Sequence, residues 1–78
     1  MDIRDKISEI LSDIFDDTVV VKDDMKVGYF EDWDSLVQMQ IIMELESAFL
    51  IKFSTTEIQS LKNMGEYINN IERKIAKN

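Results

Sequence analysis

The 78-residue chain contains no cysteine and no histidine. Without cysteine there is no disulfide, no thiolate nucleophile and no Cys-based zinc site. Without histidine there is no imidazole to move a proton near neutral pH. Proline is absent and there are only two glycines, so the boundaries between elements fall mainly to capping side chains. Cations are also scarce. Nine Lys and Arg stand against sixteen Asp and Glu, a net charge of −7, with an isoelectric point near 4.4. Such a chain is repelled by nucleic acid and by anionic membrane surfaces, and is steered toward basic partners. Met1-Asp2-Ile3-Arg4-Asp5-Lys6 is not followed by an apolar run of signal-peptide or membrane-span length. A cytoplasmic protein with no membrane span is the expectation.

What is present suits one small domain, residues 1–78, expected to be monomeric. At 45% hydrophobic and 32% charged residues the chain can build a core, but this length leaves little material for a deep cleft. The charge is uneven: residues 1–34 hold eleven acids and four bases, and residues 52–78 hold three acids and five bases. The anionic field therefore belongs to the front of the chain and reaches to about Asp34.

Ile3, Ile7, Ile10, Leu11 and Ile14 recur at helical spacing and predict an amphipathic helix over 3–15 with Asp2 as its cap. Residues 16–34 lose that period. The run Val19-Val20-Val21 could be a short strand, but there is no second run to pair with it. The segment reads as a long connection whose apolar residues, Trp33 among them, tack onto a core. A second helix is predicted from Asp34 or Ser35 to about Leu50, followed by an extended Ile51-Lys52-Phe53. Ser54-Thr55-Thr56-Glu57 has the spacing of a capping box and predicts a short third helix through about Leu61. Asn63 caps a fourth, with Met64, Tyr67, Ile68, Ile71 and Ile75 on one face. Lys74 and Lys77 suit the negative end of that helix. The fold class is all-α: a small four-helix bundle with a long loop between the first and second helices and a short third helix.

The second helix has two apolar faces. At ~100° per residue, Ile41, Ile42, Leu45, Ala48 and Phe49 share one arc, while Leu36, Met39 and Met43 form a stripe on another side. A domain this small has too few elements to cover both. Leu36, Met39 and Met43 are therefore expected to stay exposed as a docking surface, a use for which the flexible thioether of methionine is well suited.

Ser35 falls where loop becomes helix. An Asp or Ser at such a junction serves as an ordinary N-cap. A serine at a helix N-terminus is also a favourable place for a phosphate ester, because unpaired N–H groups and the positive end of the helix stabilise the anion. The chain has no histidine to activate that hydroxyl, no Ser-Lys pair at helical spacing beside it and no Gly-x-Ser-x-Gly elbow. If Ser35 is modified, another protein does the chemistry.

Asp34-Ser35-Leu36, preceded by an acidic loop and followed by a Met-rich helix with Leu45-Glu46-Ser47-Ala48-Phe49, resembles the discrete acyl carrier proteins. Ile51-Lys52-Phe53 and Lys62-Asn63-Met64-Gly65-Glu66-Tyr67-Ile68 correspond to later segments of that family, so the resemblance spans essentially the whole chain. It implies a carrier rather than an enzyme. A phosphopantetheinyl transferase would attach 4′-phosphopantetheine to Ser35 in a Mg²⁺-assisted transfer from coenzyme A. The thiol of that group would hold an acyl or aminoacyl thioester for loading and transferring enzymes. The resemblance gives Asp34 the role of orienting the site and contacting the transferase. It makes Leu36, Met39 and Met43 docking residues, with Glu44 and Glu46 as anionic contacts to basic patches.

Carriers of central fatty-acid synthesis tend to have acids where this chain has Val37, Gln40 and Ser47, and a small or aliphatic residue where it has Trp33. These departures favour a specialised pathway such as polysaccharide, polyketide, peptide or modified-lipid synthesis. The rival reading is an unmodified helical interaction module in which Ser35 is only an N-cap. No metal site is expected: Asp13, Asp16, Asp17, Asp23 and Asp24 lack the spacing of a calcium loop and read as a solvated acidic surface.

Overall fold

The computed structural model describes residues 2–76. Among the described residues there are four helices and no strand: α1 (Ile3–Phe15), α2 (Ser35–Phe49), α3 (Thr55–Ser60) and α4 (Met64–Ala76). α1 packs against α2 and α4. The small helical bundle expected from the pattern is what forms, with its long α1–α2 connection and short α3.

Each start obeys its cap. The Asp2 carboxylate accepts from Arg4 N–H at 2.9 Å. Ser54 and Glu57 close the reciprocal capping box of α3. Asn63 accepts from Glu66 N–H at 3.0 Å. The α4 terminus also draws on the long loop: Met64 N–H donates to the Met25 carbonyl at 2.8 Å and Gly65 N–H to the Asp23 carbonyl at 3.0 Å. Gly65 eases that approach, since a Cβ there would stand only 3.0 Å from the Asp23 Cβ. Arg4 pairs with the Asp23 side chain, tying α1 to the same stretch of loop.

The core is continuous. Ile7, Ile10 and Leu11 of α1 meet Ile41, Ile42, Leu45 and Phe49 of α2 and Met64, Tyr67, Ile68 and Ile71 of α4, with Val19, Val21, Met25 and Trp33 entering from the loop. Full burial of one such aliphatic side chain contributes about 1.5–3 kcal/mol, so loop residues carry a real share of the stability.

The valine run is not a strand. Its backbone groups are satisfied by α1 instead. Val19 N–H donates to Ser12 Oγ at 2.9 Å, the Ser12 hydroxyl donates back to the Val19 carbonyl, and Val21 N–H donates to Ser8 Oγ at 2.9 Å. The two serines stand one helical turn apart and hold the segment so that Val19 and Val21 are buried and Val20 faces out.

Lys74 also departs from expectation. It does more than complement the end of α4: its Nζ donates to both oxygens of Glu57 at 2.9 and 3.0 Å and lies 5.7 Å from the centre of the Phe53 ring. Lys77 lies outside the described residues. Glu57 also accepts from Ser54 N–H and Asn70 Nδ2. With the Ser54 backbone contributing most, then Lys74 and Asn70, its carboxyl sits well below the usual 4.5, at about 2. This cluster locks α3, which has no fully buried residue of its own, onto α4.

Candidate functional site

The loop reaches α2 through a tight turn. Gly28 adopts φ +90°, in the left-handed region where side chains are disfavoured, and its N–H donates to the Trp33 carbonyl at 2.8 Å. Trp33 is buried against Phe15, with ring centres 5.4 Å apart. Its indole N–H donates to Gln38 Oε1 at 2.7 Å. The turn before α2 is thus tied to a residue one turn inside the helix, and Asp34 and Ser35 are held between these anchors.

Asp34, not Ser35, is the N-cap. Its Oδ1 accepts from Val37 N–H at 2.9 Å and its carbonyl from Gln38 N–H at 2.9 Å. A reading in which Ser35 serves only as the cap is therefore corrected. Asp reaches the third N–H from the flanking extended position, whereas Ser35 already has its backbone in the helix. Ser35 is exposed, and its hydroxyl makes no hydrogen bond among the described residues. The N–H groups of Ser35 and Leu36 likewise have no acceptor among the described residues.

Three apolar side chains follow Ser35 on the outer face of α2: Leu36 is 80% exposed, Met39 45% and Met43 64%. The expected exposure of this stripe is what the fold delivers, and Ile41, Ile42, Leu45 and Phe49 are buried on the opposite side. Glu44 is exposed beside the stripe. Glu46 is half-buried, and its Oε2 accepts from Phe53 N–H at 2.9 Å, so this carboxylate helps shape the α2–α3 connection.

A groove of about 320 Å³ opens beside Ser35. α2 contributes Gln38, Met39 and Ile42 to it, α3 and its exit contribute Ile58 and Leu61, α4 contributes Met64 and Tyr67, and the loop contributes Met25, Lys26 and Val27. Burial pushes the Tyr67 phenol up, while its contact with Gln38 pulls the other way. The phenol therefore stays neutral at physiological pH. Sequence reasoning did not find this groove. Its walls come from four segments that no spacing rule connects, and Tyr67, Ile42 and Met64 read only as core.

Among the described residues no group of acidic side chains is arranged to hold a metal ion, and no helix is long and apolar enough to cross a membrane. No protein-family model, curated protein or solved structure matches this chain.

Proposed function

We propose that the chain is a carrier of the acyl carrier protein type, with 4′-phosphopantetheine esterified to Ser35. One observation carries the reading. The Ser35 hydroxyl, relieved of capping by Asp34, is exposed at the start of a 15-residue helix and stands at the mouth of a groove. The residues fit such a group. The free N–H groups of the first turn and the positive end of the helix suit a phosphodiester, and the groove offers an apolar bed to what hangs from it.

In the attachment step Ser35 Oγ forms a bond to the pantetheine-bearing phosphorus of coenzyme A. The bond from that phosphorus to the bridging oxygen breaks, and adenosine 3′,5′-bisphosphate leaves. The hydroxyl proton passes to a base of the phosphopantetheinyl transferase, because this chain brings no imidazole of its own. When bound, the group supplies a thiol that holds an acyl or aminoacyl cargo as a thioester. Asp34 fixes the first turn and so the position of Ser35. Leu36, Met39 and Met43 offer an apolar surface to the transferase and to loading and transferring enzymes, with Glu44 at its edge for basic residues. In this reading catalysis belongs to those partners, in a specialised biosynthetic pathway.

The test is mass spectrometry after incubation with coenzyme A, Mg²⁺ and a broad-specificity transferase. A gain of ~340 Da, absent in Ser35→Ala, is the expected result. An unmodified chain beside a fully modified control carrier refutes it and leaves an interaction module built on the exposed stripe.

A further inference from the structure

We infer that the hollow between the end of α1 and the turn before α2 receives an arginine side chain of a partner protein, its guanidinium paired with Asp17 and Asp32 against the rings of Phe15 and Phe30. This cavity of about 180 Å³ is lined by Phe15, Asp17, Val19, Phe30 and Asp32, and it shares no residue with the groove beside Ser35. Its walls are fixed. Phe15 and Phe30 meet edge to face with ring centres 5.2 Å apart, and both pack on the buried Trp33, at 5.4 and 6.2 Å. The two bonds between Ser12 and Val19 hold the remaining apolar residue in place. The volume has room for about six waters, the scale of one long side chain.

The lining selects the occupant. Aromatic and aliphatic walls with two carboxylates, and no Lys or Arg among them, match a cation that carries an apolar stem. Asp17 Oδ1 accepts from Thr18 N–H at 2.8 Å; its other oxygen and the Asp32 carboxylate make no hydrogen bond among the described residues. Other surface acids are equally free, and what sets these two apart is the aromatic cavity they share. The backbone adds negative character. Asp17 and Val19 N–H turn to the Ser12 carbonyl and Oγ, and Thr18 N–H to the Asp17 carboxylate. The Asp13, Ile14 and Phe15 carbonyls thus lack the donors that a further helical turn would bring. The last turn of α1 has no basic residue to offset them, and residues 7–21 and 27–51 contain neither Lys nor Arg. Two carboxylates fall short of the oxygen set that a hard metal ion requires. A guanidinium suits the cavity better than an ammonium, since it is planar, stacks on aromatic rings and is more weakly hydrated. An arginine seated in a preformed pocket is a common anchor of protein interfaces.

The inference does not depend on modification of Ser35. In the test, arginine blocked at both ends (N-acetyl, N-methylamide) is titrated into the isotope-labelled protein. The amide signals of Asp17 and Asp32 and the ring protons of Phe15 and Phe30 are followed by NMR. These should shift together and saturate, with a Kd on the order of 10 mM for the isolated side chain. Blocked citrulline, the neutral isostere, should bind about tenfold more weakly, and blocked lysine about threefold more weakly. Asp17→Asn/Asp32→Asn should bring arginine down to the citrulline level. Asp24→Asn/Glu72→Gln removes the same charge from exposed positions outside the cavity and should leave binding within about twofold. A response that does not saturate, citrulline or lysine binding as well as arginine, or an equal loss in the two double variants overturns the inference.

Discussion

The two faces of α2 use similar residues and meet opposite fates. Ile41, Ile42, Leu45 and Phe49 lie in the core, while Leu36, Met39 and Met43 stand in solvent. Hydrophobicity alone does not decide burial. α1, α4 and the loop cover one side of this helix and nothing in a domain of this size is left to cover the other. The exposed side is also the side next to Ser35, so the uncovered residues are the ones the proposed carrier reading assigns to partners.

The contrast can be broken most sharply at Ile41. Ile41→Ala removes a fully buried side chain and is expected to cost about 2–5 kcal/mol, read as a lower urea midpoint. A loss well under 1 kcal/mol would mean that the inner face is not where the stability lies.

An intermediate effect concerns the flank of the groove formed by α3. The folded-state pKa of Glu57, about 2, lies below its ordinary 4.5. The stability it contributes is fully present above the unfolded value and is lost as pH falls from about 4.5 toward 2. Thermal melts should place the wild type above Glu57→Gln at pH 7, with the gap closing through that acidic window. A gap independent of pH would show that the carboxylate charge is not what holds α3 to α4.

Leu50 sharpens the comparison at the far end of α2. It takes φ 55° and is 86% exposed, so it combines a backbone cost with no packing gain. Leu50→Gly should raise stability by about 1 kcal/mol. A destabilised variant would reveal a contact that its exposure conceals.

The smallest effect on folding belongs to the outer stripe. Met39→Gln and Met43→Gln should each change stability by no more than about 0.5 kcal/mol, while the double variant is modified by the transferase more slowly. Unfolding of that variant would move both methionines into the core and end the docking argument.

Much of this was legible in the residues. The caps at Asp2, Ser54 and Asn63, the stripes of α1 and α4 and the two-faced α2 are local patterns, and local hydrogen bonding and helical periodicity enforce them wherever the chain folds. Ser8 and Ser12 were not legible. They sit on the half-buried flank of an amphipathic helix and look like ordinary polar residues, and only the return of the loop makes them acceptors for Val19 and Val21. Lys74 likewise had a sufficient local explanation at the end of α4, and that explanation concealed its partner on α3.

By itself the sequence determined four helices, their order, the long loop and a serine at the junction of loop and second helix, because each depends on neighbours within a turn or two. Tertiary structure alone decided that four segments enclose a groove beside Ser35, that Ser8 and Ser12 hold the returning loop, and that Lys74 pairs with Glu57 between α4 and α3. Those outcomes depend on which distant segments come into contact, and burial and hydrogen-bond satisfaction choose among such contacts only when the whole chain is assembled.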